Sequence, residues 1–128
     1  MRYLDIDKFV NSYLATAAWV TCDYDECQDF TDEAIEDAKA DCLRFIELVS
    51  EKFGGEKARV LLTVAGNDLD YLAPHDFFLT RNGHGAGFWD SPEKYGGQEN
   101  ADALTEIAQQ IGECDIYHID GIDSPLTF

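Results

Sequence analysis

Apolar residues recur at the three- and four-residue spacing of an amphipathic helix in three stretches of the chain. These stretches cover residues 6–20, 31–53 and 98–111. Thr31 is a favourable N-cap for the second stretch, and Gly54, the first of two adjacent glycines, provides its end. The pattern therefore predicts three helices.

The second of these stretches separates apolar from acidic positions. If each residue turns the helix by about 100°, an apolar stripe forms along one face. Its members are Ile35, Ala38, Cys42, Phe45, Ile46 and Val49. Carboxylates occupy the opposite side, so the helix is expected to bury one face and expose the other. Residues 56–65 favour a further helix, although their β-branched content leaves a strand open.

Residues 75–90 carry the strongest short hairpin signal in the chain. Asn82-Gly83, a pair typical of a two-residue turn, separates an apolar run from a glycine-rich one. Further along, residues 114–119 alternate between apolar and polar side chains as a strand does. Both segments indicate extended structure after the first helices.

Helices followed by short strands predict an α+β domain. We expect a single globular domain over residues 1–128, with three to four helices packed on a small antiparallel sheet. This sheet contains the hairpin of residues 76–89 and a C-terminal strand near residues 114–119.

The run of residues 75–90 reads HDFFLTRNGHGAGFWD. It resembles a signature of small tailed-phage and prophage proteins, HDFWLTRNGHGAGFWD, which is usually preceded by Gly and followed by Arg. Phe78 stands where the family has Trp, and Pro74 and Ser91 stand in place of the flanking Gly and Arg. The family has no settled activity, so the resemblance implies a phage protein expressed in the cytoplasm of a bacterial host, and not a particular reaction.

The chain is strongly acidic, with 26 Asp+Glu against 9 Lys+Arg and a formal net charge of −17. This charge argues against a generic nucleic-acid binder, because such a protein needs a basic surface to replace phosphate counterions. A hydrophobic content of 45% with 12% aromatics argues against disorder. No apolar run is long enough to cross a membrane, and the start of the chain does not resemble a signal peptide. The four cysteines are expected to be reduced thiols.

The acids are concentrated before and within the second helix, and residues 9–38 contain neither Lys nor Arg. Along a helix, residues 23–37 would carry a carboxylate every ~2.8 Å, comparable to the ~3.4 Å between phosphates of one DNA strand. We predict that this acidic face mimics DNA and binds the basic DNA-binding surface of a host or defence protein, such as a topoisomerase, a nuclease, a restriction enzyme or a CRISPR effector. The predicted contact residues are Asp25, Asp29, Asp32, Glu33, Glu36, Asp37 and Asp41.

Two alternatives remain open. The first is a small hydrolase or a ligand- or metal-binding module that uses His75, Asp76, Arg81 and His84. In the predicted hairpin the two histidines lie about 20 Å apart, which is too far to share a metal ion. The second is a phage accessory protein whose acidic surface only confers solubility. The leading hypothesis requires no cofactor, metal or catalytic residue, no direct nucleic-acid contact and no membrane, and it is compatible with a homodimer.

Overall fold

The computed structural model describes residues 4–21, 30–66, 71–83, 86–113, 117–118 and 126–127. Within these residues the α-helices are α1 (Ile6–Thr21), α2 (Asp32–Phe53), α3 (Gly55–Leu62), α4 (Ala73–Arg81) and α5 (Gln98–Ile111). Two short 3₁₀ helices, Phe88–Asp90 and Pro92–Tyr95, connect α4 to α5. Two-residue strands follow, β1 (Tyr117–His118) and β2 (Leu126–Thr127).

The predicted α+β class is wrong, because the described residues form a helical domain. The segment predicted as the 76–89 hairpin contains the end of α4 and a 3₁₀ helix. Apart from an isolated bridge residue at Phe30, strand pairing among the described residues is confined to the antiparallel pair of β1 with β2. Two residues per strand do not make a sheet on which helices can pack. Most of the strand predicted near 114–119 lies outside the described residues.

The Asn82-Gly83 pair ends a helix and does not turn a hairpin. Asn82 is the C-cap of α4, and its backbone N–H donates to the carbonyl oxygen of Phe78, while the N–H of Gly83 donates to that of Thr80. Gly83 follows with a φ of +64°, in the left-handed region that commonly ends helices. Pro74, in the first turn, is compatible with a helix start because its missing N–H has no intrahelical acceptor there. The signals of a type I′ turn and of a helix end are therefore the same here.

Helix α4 lies in the interior and contacts α1, α3 and α5. Its buried residues include Asp76, Phe77, Phe78, Leu79 and Thr80, which surround the helix axis. A helix buried on all sides shows no amphipathic period, so its apolar run cannot be distinguished from a buried strand by pattern alone. This explains why the sequence predicted extended structure.

Helices α1 and α2 run antiparallel. The ring of Phe9 in the first half of α1 lies 6.4 Å from that of Phe45 in the second half of α2. Tyr13 lies one turn after Phe9 on α1, and Asp41 lies one turn before Phe45 on α2. Both side chains accept a hydrogen bond from the guanidinium of Arg81. The C-terminal end of α1 therefore lies at the same end of the molecule as the beginning of α2.

The aromatic core joins these helices to α4. The rings of Phe45 and Phe77 stack with 4.3 Å between centroids, and Phe88 also stacks with Phe45, at 5.9 Å. Tyr95 meets Phe88 edge-on at 5.2 Å. All four side chains are fully buried. The segment 75–90 thus supplies the centre of the core.

The helices predicted over 6–20, 31–53 and 98–111 are confirmed, and a helix forms in the 56–65 region. Thr31 caps α2, since its side chain accepts a 3.0 Å hydrogen bond from the N–H of Ala34. The predicted buried stripe is wrong at Ile35, which is 38% exposed. Ala34 is buried in its place, because the stripe of α2 is set by Ala38, Cys42 and the residues that follow at helical spacing. None of the described helices is long and apolar enough to cross a membrane.

Candidate functional site

The exposed acidic surface of α2 consists of Asp32, Glu33, Glu36 and Asp37. All four side chains face solvent in the first two turns of the helix. Within the described part of the chain none of them has a salt-bridge partner. Asp25 and Asp29, which the sequence placed on the same surface, lie outside the described residues. We call Asp32, Glu33, Glu36 and Asp37 the α2 acidic surface.

This surface concentrates like charges at close range. Asp32 and Glu36, and likewise Glu33 and Asp37, stand four residues apart, where like charges repel by about 0.2–0.5 kcal/mol per pair. The positive end of the helix dipole offsets part of this repulsion, since anions are stabilised in the first turn. The first basic residue of the helix is Lys39, three residues after Glu36, and among the described residues it forms no salt bridge with this surface. The α2 acidic surface therefore keeps its charge available to a cationic partner.

Asp41 does not belong to this surface. Its carboxylate lies 2.8 Å from Nη1 of Arg81, whose side chain is only 3% exposed, and Asp41 itself is one-third exposed. Nη1 also donates to the hydroxyl of Tyr13 at 3.0 Å, while Nε donates to the carbonyl oxygen of Gly112 at 2.7 Å. One guanidinium thus ties α4 to α1, to α2 and to the end of α5. Asp41 thus has a structural contact that the sequence did not indicate, and its role in partner binding stays a prediction.

Of the residues of the first alternative, the three that the structure describes contact different neighbours. His75 contacts Thr16, Asp76 contacts Tyr95, and Arg81 contacts Asp41. His84 lies outside the described residues. In the described ranges, no three His, Cys, Asp or Glu side chains are placed to hold one metal ion. Helix α4 directs these side chains to different neighbours, because residues 75, 76 and 81 project at different angles around its axis.

Asp76 and Tyr95 form a buried hydrogen bond of 2.6 Å. Burial raises the pKa of Asp76 to about 6; the hydrogen bond from Tyr95 counteracts this shift, and the negative charge of Asp90 adds to it. Burial also raises the pKa of Tyr95 far above its usual range, so its hydroxyl remains a donor. With Asp76 only 6% exposed, the pair is enclosed and its carboxyl has no open path to a substrate.

Sequence reasoning missed Trp19. Its side chain is 68% exposed, and its ring lies 6.1 Å from the imidazole of His75. The signal was present in the helical pattern. The apolar stripe of α1 passes through Tyr13 and Ala17, and Trp19 falls two residues off this stripe. A large aromatic side chain off the buried face of a helix is a candidate contact residue.

A shallow groove of about 290 Å³ lies between α2 and α5. It is lined by Leu48, Glu51, Lys52, Ala103, Glu106, Ile107 and Gln110. Acidic, basic and apolar side chains mix along its walls, so it shows no marked preference for a ligand. The thiol of Cys42 offers no reactive group either, since burial raises its pKa.

No protein-family model matches this chain, and neither a curated protein nor a solved structure shows a significant similarity to it. The resemblance of residues 75–90 to a signature of small phage proteins therefore stays a prediction.

Proposed function

We propose that this protein acts by binding, and that its α2 acidic surface docks on the basic DNA-binding surface of a protein in a bacterial host. The partner would then be unable to bind DNA, because carboxylates occupy the positions of the DNA phosphates. The observation that carries this proposal is the exposure of Asp32, Glu33, Glu36 and Asp37 without a salt-bridge partner in the described residues.

The arrangement of the other polar groups favours binding over catalysis. Asp76 and Arg81 are buried and bonded to partners within the core. A general base or a nucleophile must reach its substrate, and these groups do not. The exposed charge, in contrast, is directly accessible.

The size of the surface defines how the mimicry would work. From residue 32 to residue 37 the helix rises about 7.5 Å, which corresponds to roughly two phosphate spacings of one DNA strand. The α2 acidic surface alone therefore replaces a short piece of backbone. The net charge of −17 extends the effect, since a strongly negative field steers the protein toward a basic groove and accelerates association.

The proposal is tested with a charge-neutralised variant and a matched control. The variant E33Q/E36Q/D37N removes three carboxylates from the α2 acidic surface. The control E47Q/E51Q/E56Q removes three exposed carboxylates from the second half of α2 and from α3. Both variants change the net charge equally, so a difference between them reports position and not total charge.

Proteins captured from a bacterial lysate at low and at high salt are identified and purified. A captured protein is then assayed for duplex-DNA binding in the presence of each variant. We expect the wild type to displace DNA, the control to act similarly, and the α2 variant to bind at least tenfold more weakly, a loss of about 1.4 kcal/mol. Equal displacement by both variants, or captured proteins that bind no DNA, would contradict the proposal.

A further inference from the structure

Trp19 and His75 form a small exposed site at one end of the molecule. Trp19 stands in the last turns of α1, and His75 in the first turn of α4. Their rings are 6.1 Å apart between centroids and inclined by 38°. The Trp19 side chain is 68% exposed and His75 is half-buried, so both rings remain accessible from solvent.

The hydrogen bonds of Thr16 define the protonation of His75. The hydroxyl of Thr16 donates to the carbonyl oxygen of Ser12 at 2.9 Å. Its oxygen lies 3.0 Å from Nδ1 of His75 and, with its own proton already used, accepts a hydrogen bond there. Nδ1 therefore carries the ring proton and Nε2 carries a lone pair. Nε2 has no hydrogen-bond partner among the described residues.

The electrostatic surroundings favour a cation at this site. Burial lowers the pKa of His75, which keeps the ring neutral at neutral pH. Because α1 and α2 run antiparallel, the end of α1 that carries Trp19 lies at the same end of the molecule as the α2 acidic surface. A neutral acceptor and an aromatic face are thus presented at the end of the molecule that also carries exposed carboxylates, in a protein with a net charge of −17.

From this geometry we infer that Trp19 and His75 bind an arginine side chain of the basic partner. The guanidinium lies against the face of the Trp19 indole and donates an N–H to Nε2 of His75. The inference rests on the proposed function, since it assigns the partner's chemistry, and it adds a short-range contact to the long-range charge attraction. Exposed aromatic residues of this kind often contribute most of the binding energy at an interface.

Arginine fits this site better than lysine. A guanidinium is planar, so it stacks on an indole ring and donates in its own plane at the same time. An ammonium group can approach the ring but donates to Nε2 with a less favourable geometry. Anionic ligands such as carboxylates or phosphates are repelled by the net charge of the protein. The class of ligand is therefore a guanidinium.

The direct test uses two short peptides with the full chain. Acetylated and amidated Gly-Arg-Arg-Gly and Gly-Lys-Lys-Gly are titrated while NMR follows the indole N–H of Trp19 and the imidazole of His75. The partly buried Trp89 serves as an internal reference. We expect the arginine peptide to shift the signals of Trp19 and His75, with an affinity at least threefold above that of the lysine peptide, and to leave Trp89 unchanged.

Two variants separate the ring from the acceptor. W19A removes the aromatic face at an exposed position, so the fold is retained. H75N keeps a donor near Nδ1 for Thr16 but removes the acceptor at Nε2. We expect each variant to weaken binding of the arginine peptide about threefold to tenfold, in line with a partly desolvated cation–π contact and one hydrogen bond. Equal shifts with both peptides, or unchanged binding in both variants, would overturn the inference.

The same variants distinguish this inference from the proposed function. If E33Q/E36Q/D37N loses the captured DNA-binding protein while W19A and H75N retain it, the proposed function stands and the arginine site is wrong. If W19A and H75N lose the arginine peptide while E33Q/E36Q/D37N still displaces DNA like the wild type, the arginine site stands and the role of the α2 acidic surface is wrong.

Discussion

The hydroxyl of Tyr95 donates a 2.6 Å hydrogen bond to a carboxylate oxygen of Asp76, and both side chains lie in the core of the helical domain. Burial raises the pKa of Asp76 from 3.8 to about 6, so folding favours the protonated carboxyl. The protonated Asp76 carboxyl therefore stabilises the folded state to its full extent only below about pH 3.8. This stabilisation is lost as the pH rises through about 6, and the loss amounts to about 3 kcal/mol.

The variant D76N should remove this pH dependence, because an amide does not titrate in this range. We expect the free energy of unfolding of D76N, relative to wild type, to improve by about 2.5 kcal/mol between pH 4 and pH 8, since part of the effect already lies below pH 4. Urea titrations at both pH values measure the change. Y95F should act in the opposite direction and make the loss of stability with rising pH larger, extending it to higher pH, since the ionised carboxylate then loses its donor. A difference between D76N and wild type that stays constant with pH would contradict the assignment.

The ion pair of Arg81 and Asp41 leads to a second prediction. Arg81 donates from Nη1 and Nε to three acceptors on α1, on α2 and after α5, and Lys cannot reproduce this planar fork. We expect R81K to lower the free energy of unfolding by about 2–4 kcal/mol, because buried acceptors lose their donors. D41N should lower it by only about 1–2 kcal/mol, since Asp41 is one-third exposed.

These stability changes also test the division between structural and binding acids. In urea titrations D41N should be less stable than wild type, whereas E36Q, at an exposed position, should unfold at the same urea concentration within about 0.5 kcal/mol. In the DNA-displacement assay the order should reverse, with E36Q weaker and folded D41N close to wild type. If the D41N variant were fully folded in this assay and still lost partner binding, Asp41 would belong to the docking surface.

The amphipathic helices could be predicted because their period is written in consecutive residues. Helices α1, α2 and α5 each bury one face, and Thr31 marks a boundary by local chemistry alone. Helix α4 could not be predicted in this way. Its apolar residues surround the axis, and Asn82-Gly83 is compatible with a hairpin turn and with a helix end. Only packing against the other helices decides between the two.

The candidate site shows a similar division. The exposure of Glu33, Glu36 and Asp37 follows from the helical pattern, since they face away from the buried stripe. The position of Asp41 depends on Arg81, forty residues later in the chain. That contact is tertiary, and no local pattern indicates it. The pairing of Trp19 with His75 is likewise a tertiary contact between α1 and α4.

Gly87 provides the last prediction, because its position leaves no room for a side chain. A Cβ there would lie 2.1 Å from Oγ1 of Thr80 and 2.9 Å from the ring of Trp89. The backbone of Gly87 is extended, so the requirement for glycine comes from this close approach and not from its φ. We expect G87A to lower the free energy of unfolding by about 1–3 kcal/mol, as overpacking does in cores.

A double-mutant cycle identifies the cause. T80A removes the atom nearest to the added methyl group, so the cost of G87A should be smaller in the T80A background, with a coupling of at least about 0.5 kcal/mol. G83A serves as the comparison, because Gly83 has open space around it and a φ of +64°. Its cost of about 1–2 kcal/mol should come from the left-handed backbone and should remain the same with T80A. Strictly additive costs for G87A and T80A, measured by urea unfolding, would show that Thr80 does not set the space available at residue 87.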